Sequence, residues 1–310
     1  MFNHILAVYD GAIGSDAVLM KATGLARATG AQLAIAGLLC DGPQTSSRIA
    51  EAEKCLNRIV PWVRQEGVDA VSTRVLAGTP HEEITRQVLR AGHDLVIASP
   101  ETGRNAGMLA FGSTTANLIR KCPCPVWIVA SSQSPQRSWT GDVLAAIQPS
   151  RVLAGKICAV AAALASATNA RLHVVHCWDV AGNEGDMLRS EIRDATKHAI
   201  LVKHEEMHRK EVEQVVAHCG QSVANVQIHL PRAAPNSSIV ELADKLHVAT
   251  VVMGTDGQSG ISGLVMGNAV EGVRPFLRCG VVAVKPDEFR TSIQMPALER
   301  IPERMRLHAH

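Results

Sequence analysis

The feature that most restricts the fold of this chain is an internal duplication. The stretch GTPHEEI matches AAPNSSI later in the chain, with Pro80 opposite Pro235. The stretch FGSTTANLIRKCPCPVWIV matches MGNAVEGVRPFLRCGVVAV, with Cys124 opposite Cys279 at the same separation. Such a constant separation indicates two copies of one domain, joined by a polar, turn-rich linker. The sequence therefore predicts a first domain over residues 1–131, a linker over 132–141, a second domain over 142–286 and a C-terminal tail over 287–310.

Each half alternates short apolar runs with longer helical patterns. In the first half, residues 5–9 and 95–99 are apolar runs of strand length, and residues 46–66 form one long helical pattern. Residues 184–219 form another in the second half. Short strands that alternate with helices are typical of βαβ units around a parallel sheet. We therefore expect an α/β protein with two tandem doubly wound sheets, each five-stranded and mainly parallel, with helices on both faces.

The composition excludes several classes of function. Lys and Arg number 31 against 29 Asp and Glu, and aromatic residues make up only 3% of the chain, which argues against a basic or base-stacking surface for nucleic acid. No apolar run is long enough to span a bilayer, and the first residues lack the charged start of a secretory signal. The eight cysteines are scattered through apolar runs, like the reduced thiols of a cytosolic protein. We expect a cytoplasmic protein that binds neither nucleic acid nor membrane.

A glycine-rich loop, MGTDGQSGISGLVMGN, follows an apolar run in the second half. Gly254 and Gly257 permit a tight turn and a close approach of ligand to backbone, because glycine has no Cβ. Gly267 and Asn268 then begin a helix, whose free amides favour an anion. In a doubly wound sheet such a loop leaves the edge where ligands bind. The loop indicates a phosphate site, although a glycine-rich connector that only packs has a similar pattern.

This glycine spacing, together with the duplication, resembles the universal stress protein family. Its nucleotide-binding members carry Gly-x2-Gly-x9-Gly-Ser/Thr after the fourth strand and an aspartate at the end of the first. The stretches GISGLVMGNAVE and CPCPVWIV also resemble its tandem-domain, universal stress protein E-like subgroup. The resemblance implies an adenine nucleotide alpha hydrolase-like fold, with the two domains packed together through their last strands like the two chains of a dimer. It also implies a regulator of stress survival and not a dedicated enzyme. Such a regulator would self-associate and bind unidentified stress-response proteins.

The second half matches the family pattern in part. Its glycines stand at the motif positions, and Asn268 replaces the usual Ser or Thr as a helix cap that can also donate to a phosphate oxygen. The first strand of this half ends in Gln148 where the family has aspartate, which weakens recognition of the nucleoside. We expect ATP or ADP to bind here, mainly through the backbone, with slow background hydrolysis at most. The candidate residues are Ile147, Gln148, Gly254, Thr255, Gly257, Gly267, Asn268 and Ala269.

The first half has the aspartate that the second half lacks, but it lacks the glycine spacing that the second half has. Asp10 ends its first strand, as the family pattern requires. Pro100, however, occupies the position of the first glycine, where it offers no amide and fixes φ, and the following loop is one residue short. We expect nucleotide to bind weakly or not at all here, and the two partial sites cannot be pooled because each belongs to its own sheet. The candidate residues are Asp10, Gly103, Gly112, Ser113 and Thr114.

Two other interpretations stay open. The degraded motifs also suit a scaffold protein that holds an apolar or lipid-derived ligand instead of a nucleotide. The stretch HEEMH matches HExxH, in which two histidines one helical turn apart, here His204 and His208, bind zinc. A chance match in a chain with 13 histidines is the simpler interpretation, so no metal ligand is predicted. His173 and His176 of HVVH are expected on opposite faces of a strand, where they cannot chelate one ion.

Overall fold

The computed structural model describes residues 2–11, 15–39, 45–100, 113–129, 141–150, 152–180, 188, 194–220, 225–255 and 277–295. The strands are β1 (His4–Tyr9), β2 (Gln32–Leu39), β3 (Val71–Ala77), β4 (Leu95–Ala98), β5 (Val126–Ile128), β6 (Val143–Ala146), β7 (Leu172–Val175), β8 (Val226–His229), β9 (Thr250–Gly254) and β10 (Gly280–Val284). The helices are α1 (Ser15–Thr29), α2 (Ser46–Asn57), α3 (Val60–Gln65), α4 (Pro80–Ala91), α5 (Ser113–Lys121), α6 (Leu153–Thr168), α7 (Asp194–His218) and α8 (Pro235–Lys245).

The strands form one ten-stranded sheet in the order β3-β2-β1-β4-β5-β10-β9-β6-β7-β8. Within each half, neighbouring strands are parallel, which confirms the predicted five-stranded, doubly wound units. The last strand of each half, β5 and β10, pair antiparallel, with Trp127 opposite Val282. An unpaired strand edge exposes backbone donors and acceptors, and here each half satisfies the edge of the other. The strands of the two halves therefore run in opposite directions through one continuous sheet.

Both faces of the sheet are covered by helices, and the strands away from its two ends, such as β4, β5, β9 and β10, are buried along their whole length. In β1, Ile5 and Ala7 pack under α1 on one face, while Leu6 and Val8 pack under α4 and α5 on the other. The first face also receives α6 and α7, and the second receives α8. This alternation follows the two-residue period of a strand. Within the described ranges, no helix is both long and apolar enough to cross a membrane.

The predicted single helix over residues 46–66 is wrong. The structure has two helices, α2 and α3, separated at Arg58 and Ile59. Pro61 lies in the first turn of α3, where its missing N–H costs nothing, whereas inside a longer helix its ring would clash with the preceding turn. The predicted helix over residues 184–219 is seen from Asp194 to His218, and most of its first ten residues lie outside the described ranges.

Candidate functional site

Four of the residues predicted for the second half meet at one edge of the sheet. β6 and β9 are parallel neighbours, paired up to the last residue of β6. Ile147 and Gln148 directly follow β6, while Gly254 ends β9 and Thr255 follows it. Because parallel strands end at the same edge, these residues from distant parts of the chain lie side by side. The remaining predicted residues, Gly257, Gly267, Asn268 and Ala269, lie outside the described residues.

Thr255 is anchored to the end of β10. Its backbone N–H donates to the carbonyl of Val284 at 3.1 Å, and its hydroxyl accepts from Nζ of Lys285 at 3.1 Å. Both Thr255 and Lys285 are buried, and the Lys285 ammonium also lies 4.3 Å from the centre of the Phe289 ring. The structure therefore adds a buried cation beside the start of the glycine loop. The sequence offered one signal for it, a lysine directly after an apolar strand.

In the first half, Asp10 is held at the N-terminus of α1. Its carboxylate accepts from the hydroxyl of Ser15 at 2.7 Å, and Ser15 is the buried first residue of the helix. A helix N-terminus favours a negative charge. In the second half, the residue five positions after Gln148 is Leu153, the buried first residue of α6. The second half has therefore replaced both members of this polar pair, not only the carboxylate.

The end of β4 is tied to the beginning of α5. The buried hydroxyl of Thr115 donates to two backbone carbonyls, that of Ser99 at 3.1 Å and that of Pro100 at 3.2 Å. The side chain of Ser113 is exposed at the helix start, whereas Thr114 is buried. Ser113 and Thr114 are thus placed beside the end of β4, the neighbour of β1. Gly103 and Gly112 lie outside the described residues.

The two groups of candidate residues lie at opposite edges of the sheet. Asp10 follows β1 in the first half, and Gln148 follows β6 in the second. The antiparallel pairing of β5 with β10 reverses the direction of one half relative to the other. The carboxylate of Asp10 therefore cannot serve a ligand at Gln148.

Two histidines contact each other beside the ends of β6 and β9, a place called the second-half edge below. His176 directly follows β7, the neighbour of β6, and is buried. Its Nδ1 lies 3.3 Å from the carbonyl oxygen of Ile147, and its Nε2 lies 3.3 Å from Nδ1 of His208 on α7. The same His208 nitrogen lies 3.2 Å from Oε2 of Glu211. Burial, and then the neighbouring His208, lower the pKa of His176 to about 4, so its ring is neutral at pH 7.

The other histidine of HVVH has different partners. His173 is fully buried, with Nε2 3.3 Å from Oδ2 of Asp142 and Nδ1 3.1 Å from Nε2 of His229. Burial opposes ionisation of Asp142, but hydrogen bonds from Arg171 and His173 outweigh it and lower the pKa of this carboxyl. His173 and His176 thus contact separate groups. The sequence predicts that these two histidines lie on opposite faces of a strand, but it contains no signal that His176 contacts His208.

A cleft of about 290 Å³ borders the second-half edge. Pro149 and Ser150, which directly follow Gln148, form one part of its wall. Glu211 and neighbouring residues of α7 form another part. The cleft therefore lies between the residues that follow β6 and the part of α7 that carries Glu211.

Known proteins are similar to this chain in both sequence and fold. The universal stress protein family model matches residues 1–130 and 141–285. Universal stress protein E from Photorhabdus laumondii is 27% identical over 249 residues, which cover 75% of this chain and 76% of that protein. Universal stress protein E from Escherichia coli K12 is 26% identical over 264 residues, which cover 80% of each.

Solved structures extend the similarity to the arrangement of the two halves. A putative universal stress protein from Pseudomonas aeruginosa has a TM-score of 0.68 at 24% identity, over 93% of this chain and 94% of that one. A universal stress protein from Archaeoglobus fulgidus has a TM-score of 0.62 at 18% identity, over 92% of this chain and 99% of that one. The family model matches once in each copy of the duplication. The chain therefore belongs to the universal stress protein family and carries two family domains in tandem.

Proposed function

We propose that this protein is a cytoplasmic, nucleotide-responsive regulator of stress survival that binds ATP or ADP in its second half. The observation that carries the proposal is the meeting of Ile147, Gln148, Gly254 and Thr255 at the ends of adjacent parallel strands. Doubly wound sheets bind ligands at this edge. The proposal combines this placement with family membership and with the glycine spacing that follows Gly254.

The nucleotide is held mainly by neutral groups and by the backbone. The Gln148 side chain offers an amide donor and an acceptor to the ribose hydroxyls. The glycine loop and the Asn268 cap offer amides to the phosphates, and the ammonium of Lys285 lies beside the start of the loop. The side chains proposed to face the nucleotide, Gln148 and Thr255, are an amide and a hydroxyl, which are weak general bases, so we expect slow ATP hydrolysis. The protein therefore acts through its bound state and is not a dedicated enzyme.

The first half contributes little to nucleotide binding. Pro100 offers no backbone donor at the end of β4, and its carbonyl already accepts from Thr115. The Asp10 carboxylate is engaged by Ser15. A nucleotide at this edge therefore finds few of the backbone donors that hold phosphate in the second half.

Calorimetric titration of the full chain with ATP and ADP tests the proposal. We expect one binding site, and we expect Gln148→Asp, which restores the carboxylate of the family pattern, to tighten binding by about fivefold, because hydrogen bonds to charged groups are stronger by about 1 kcal/mol. The matched change in the first half, Asp10→Asn, should leave the affinity unchanged. Absence of binding, or loss of binding in Asp10→Asn alone, would contradict the proposal.

Mass spectrometry of molecules that copurify with the native protein separates this function from the scaffold alternative. A bound adenine nucleotide supports the proposal. An apolar or lipid-derived molecule in its place would instead support a scaffold protein that uses the same edge without nucleotide.

A further inference from the structure

Three side chains from two distant elements converge beside the second-half edge. His176 follows β7, and His208 and Glu211 lie nearly one turn apart on α7. Their ligand atoms all lie within 4.8 Å of one another, with two of the separations at 3.3 Å and 3.2 Å. A tetrahedral zinc ion with bonds of about 2.0–2.1 Å holds its ligand atoms roughly 3.3–3.4 Å apart. Two of the three separations therefore already match the spacing of ligand atoms around such an ion.

Within this group, one histidine nitrogen faces two acceptors. The carbonyl of Ile147 can only accept, so Nδ1 of His176 carries the hydrogen and Nε2 of the neutral ring presents a lone pair to His208. The Glu211 carboxylate also only accepts, and it faces the same His208 nitrogen. That nitrogen has at most one hydrogen for two acceptors. A cation between the three groups would use all three lone pairs.

The environment of His176 matches that of a metal-binding histidine. Such a histidine usually donates its second ring N–H to a carboxylate or a backbone carbonyl, which orients the ring. Here the carbonyl of Ile147 takes this part. The Trp178 ring, with its centre 5.4 Å from that of His208, packs against the second histidine. Both imidazoles are therefore held in place before an ion arrives.

The ligand set and its access define the class of ion. Two imidazole nitrogens and one carboxylate oxygen suit zinc and related divalent transition metals. The Glu211 side chain is 45% exposed and lines the cleft of about 290 Å³, which gives an ion a route in from solvent. We propose that His176, His208 and Glu211 bind one divalent transition-metal ion of the zinc class at the edge of the sheet.

This site differs from the HExxH interpretation of HEEMH. His208 is the second histidine of that stretch, but its partners are His176 and Glu211, while His204 is outside the group. Among the residues that the structure describes, His176, His208 and Glu211 form the one group of three possible ligands whose ligand atoms lie within 4.8 Å of one another. The ion would link α7 to the ends of β6 and β7. Neither histidine pair in the sequence contains this combination.

Cobalt titration of untagged, full-length, chelator-treated protein tests the proposal without any nucleotide, so its outcome is independent of the proposed function. We expect one Co²⁺ ion per chain, with the visible absorption of a four-coordinate site, displaced by Zn²⁺. His176→Gln, His208→Gln and Glu211→Gln should abolish this band or weaken binding by about tenfold or more. The matched control His204→Gln, on the same helix, should keep it.

Three results would overturn the proposal: no band in the native protein, an unchanged band in the three ligand variants, or loss of the band in His204→Gln. The last result would favour the HExxH interpretation. Circular dichroism of each metal-free variant shows whether it is folded. If the histidine variants do not fold, Glu211→Gln decides the matter, because the exposed Glu211 side chain can be changed without opening the core.

Discussion

Replacement of Lys21 should make this protein more stable at neutral pH. Lys21 lies on α1, and its ammonium is 5.2 Å from the centre of the Trp127 ring. Trp127 is on β5, the strand that pairs with β10 of the other half. Burial lowers the pKa of Lys21 to about 8, although Cys279 opposes the shift. The folded protein therefore carries a partly buried, poorly hydrated charge at pH 7.

The size of the effect follows from the two pKa values. A fall from 10.5 to about 8 corresponds to roughly 3 kcal/mol in the free energy of unfolding, at about 1.4 kcal/mol for each pH unit. The attraction between the ammonium and the Trp127 ring, worth about 0.5–1 kcal/mol, is lost in the variant. We therefore expect Lys21→Met to raise the free energy of unfolding at pH 7 by about 1–3 kcal/mol.

The pH dependence distinguishes charge from packing. Between pH 8 and 10.5 the unfolded chain binds more protons at Lys21 than the folded chain does, so the native protein regains stability as the pH rises through this window. The advantage of Lys21→Met should shrink in the same window. Urea unfolding at several pH values measures it, with the exposed Lys54→Met as the matched control. A gain that stays constant from pH 7 to 10, or a net loss of stability at pH 7, would refute the reasoning.

Three further changes test the packing and the titration of the fold. Thr115→Val removes the buried hydroxyl that joins α5 to β4 and should lower the free energy of unfolding by about 1–3 kcal/mol, whereas Thr115→Ser should lose less; equal losses in urea unfolding would contradict this. Gly280→Ala would place a Cβ 2.9 Å from Nε1 of Trp127 and should cost about 1–3 kcal/mol, while Gly155→Ala, whose Cβ meets no atom within 4 Å, should not destabilise; thermal unfolding compares the two. Burial lowers the pKa of His93, so its contribution to stability is present above the ordinary pKa of histidine and is lost as the pH falls. His93→Gln should therefore flatten the fall in stability between pH 7 and 5, and an unchanged profile would exclude this histidine as a cause.

The order of the elements could be predicted from the sequence because it depends on local pattern. The duplication indicated two copies of one fold, and the apolar runs located the ends of strands, which placed Ile147 and Gln148 beside Gly254. The break between α2 and α3 was missed because the apolar pattern continues across it, although Pro61 marked the position. A proline outweighs a continuous pattern when it falls inside the proposed helix.

Contacts between distant elements could not be predicted in the same way. Lys285 reaches Thr255, and His176 reaches His208, only because β10 and α7 pack beside the strand ends. A spacing rule for one strand or one helix compares residues within that element alone. The exchange of Ser15 for Leu153 was available from the repeat, but its meaning depends on the hydrogen bond to Asp10.

The antiparallel pairing of β5 with β10 also determines what the linker has to do. Because the halves run in opposite directions, the end of β5 and the beginning of β6 lie at the same edge of the sheet, three strand positions apart. At about 4.8 Å for each position, the linker has to span only roughly 14 Å. A short span of this kind holds the two pairing strands at an effective concentration on the order of millimolar. Pairing of the halves is therefore insensitive to dilution, whereas the same contact between separate chains would weaken as the protein became scarce.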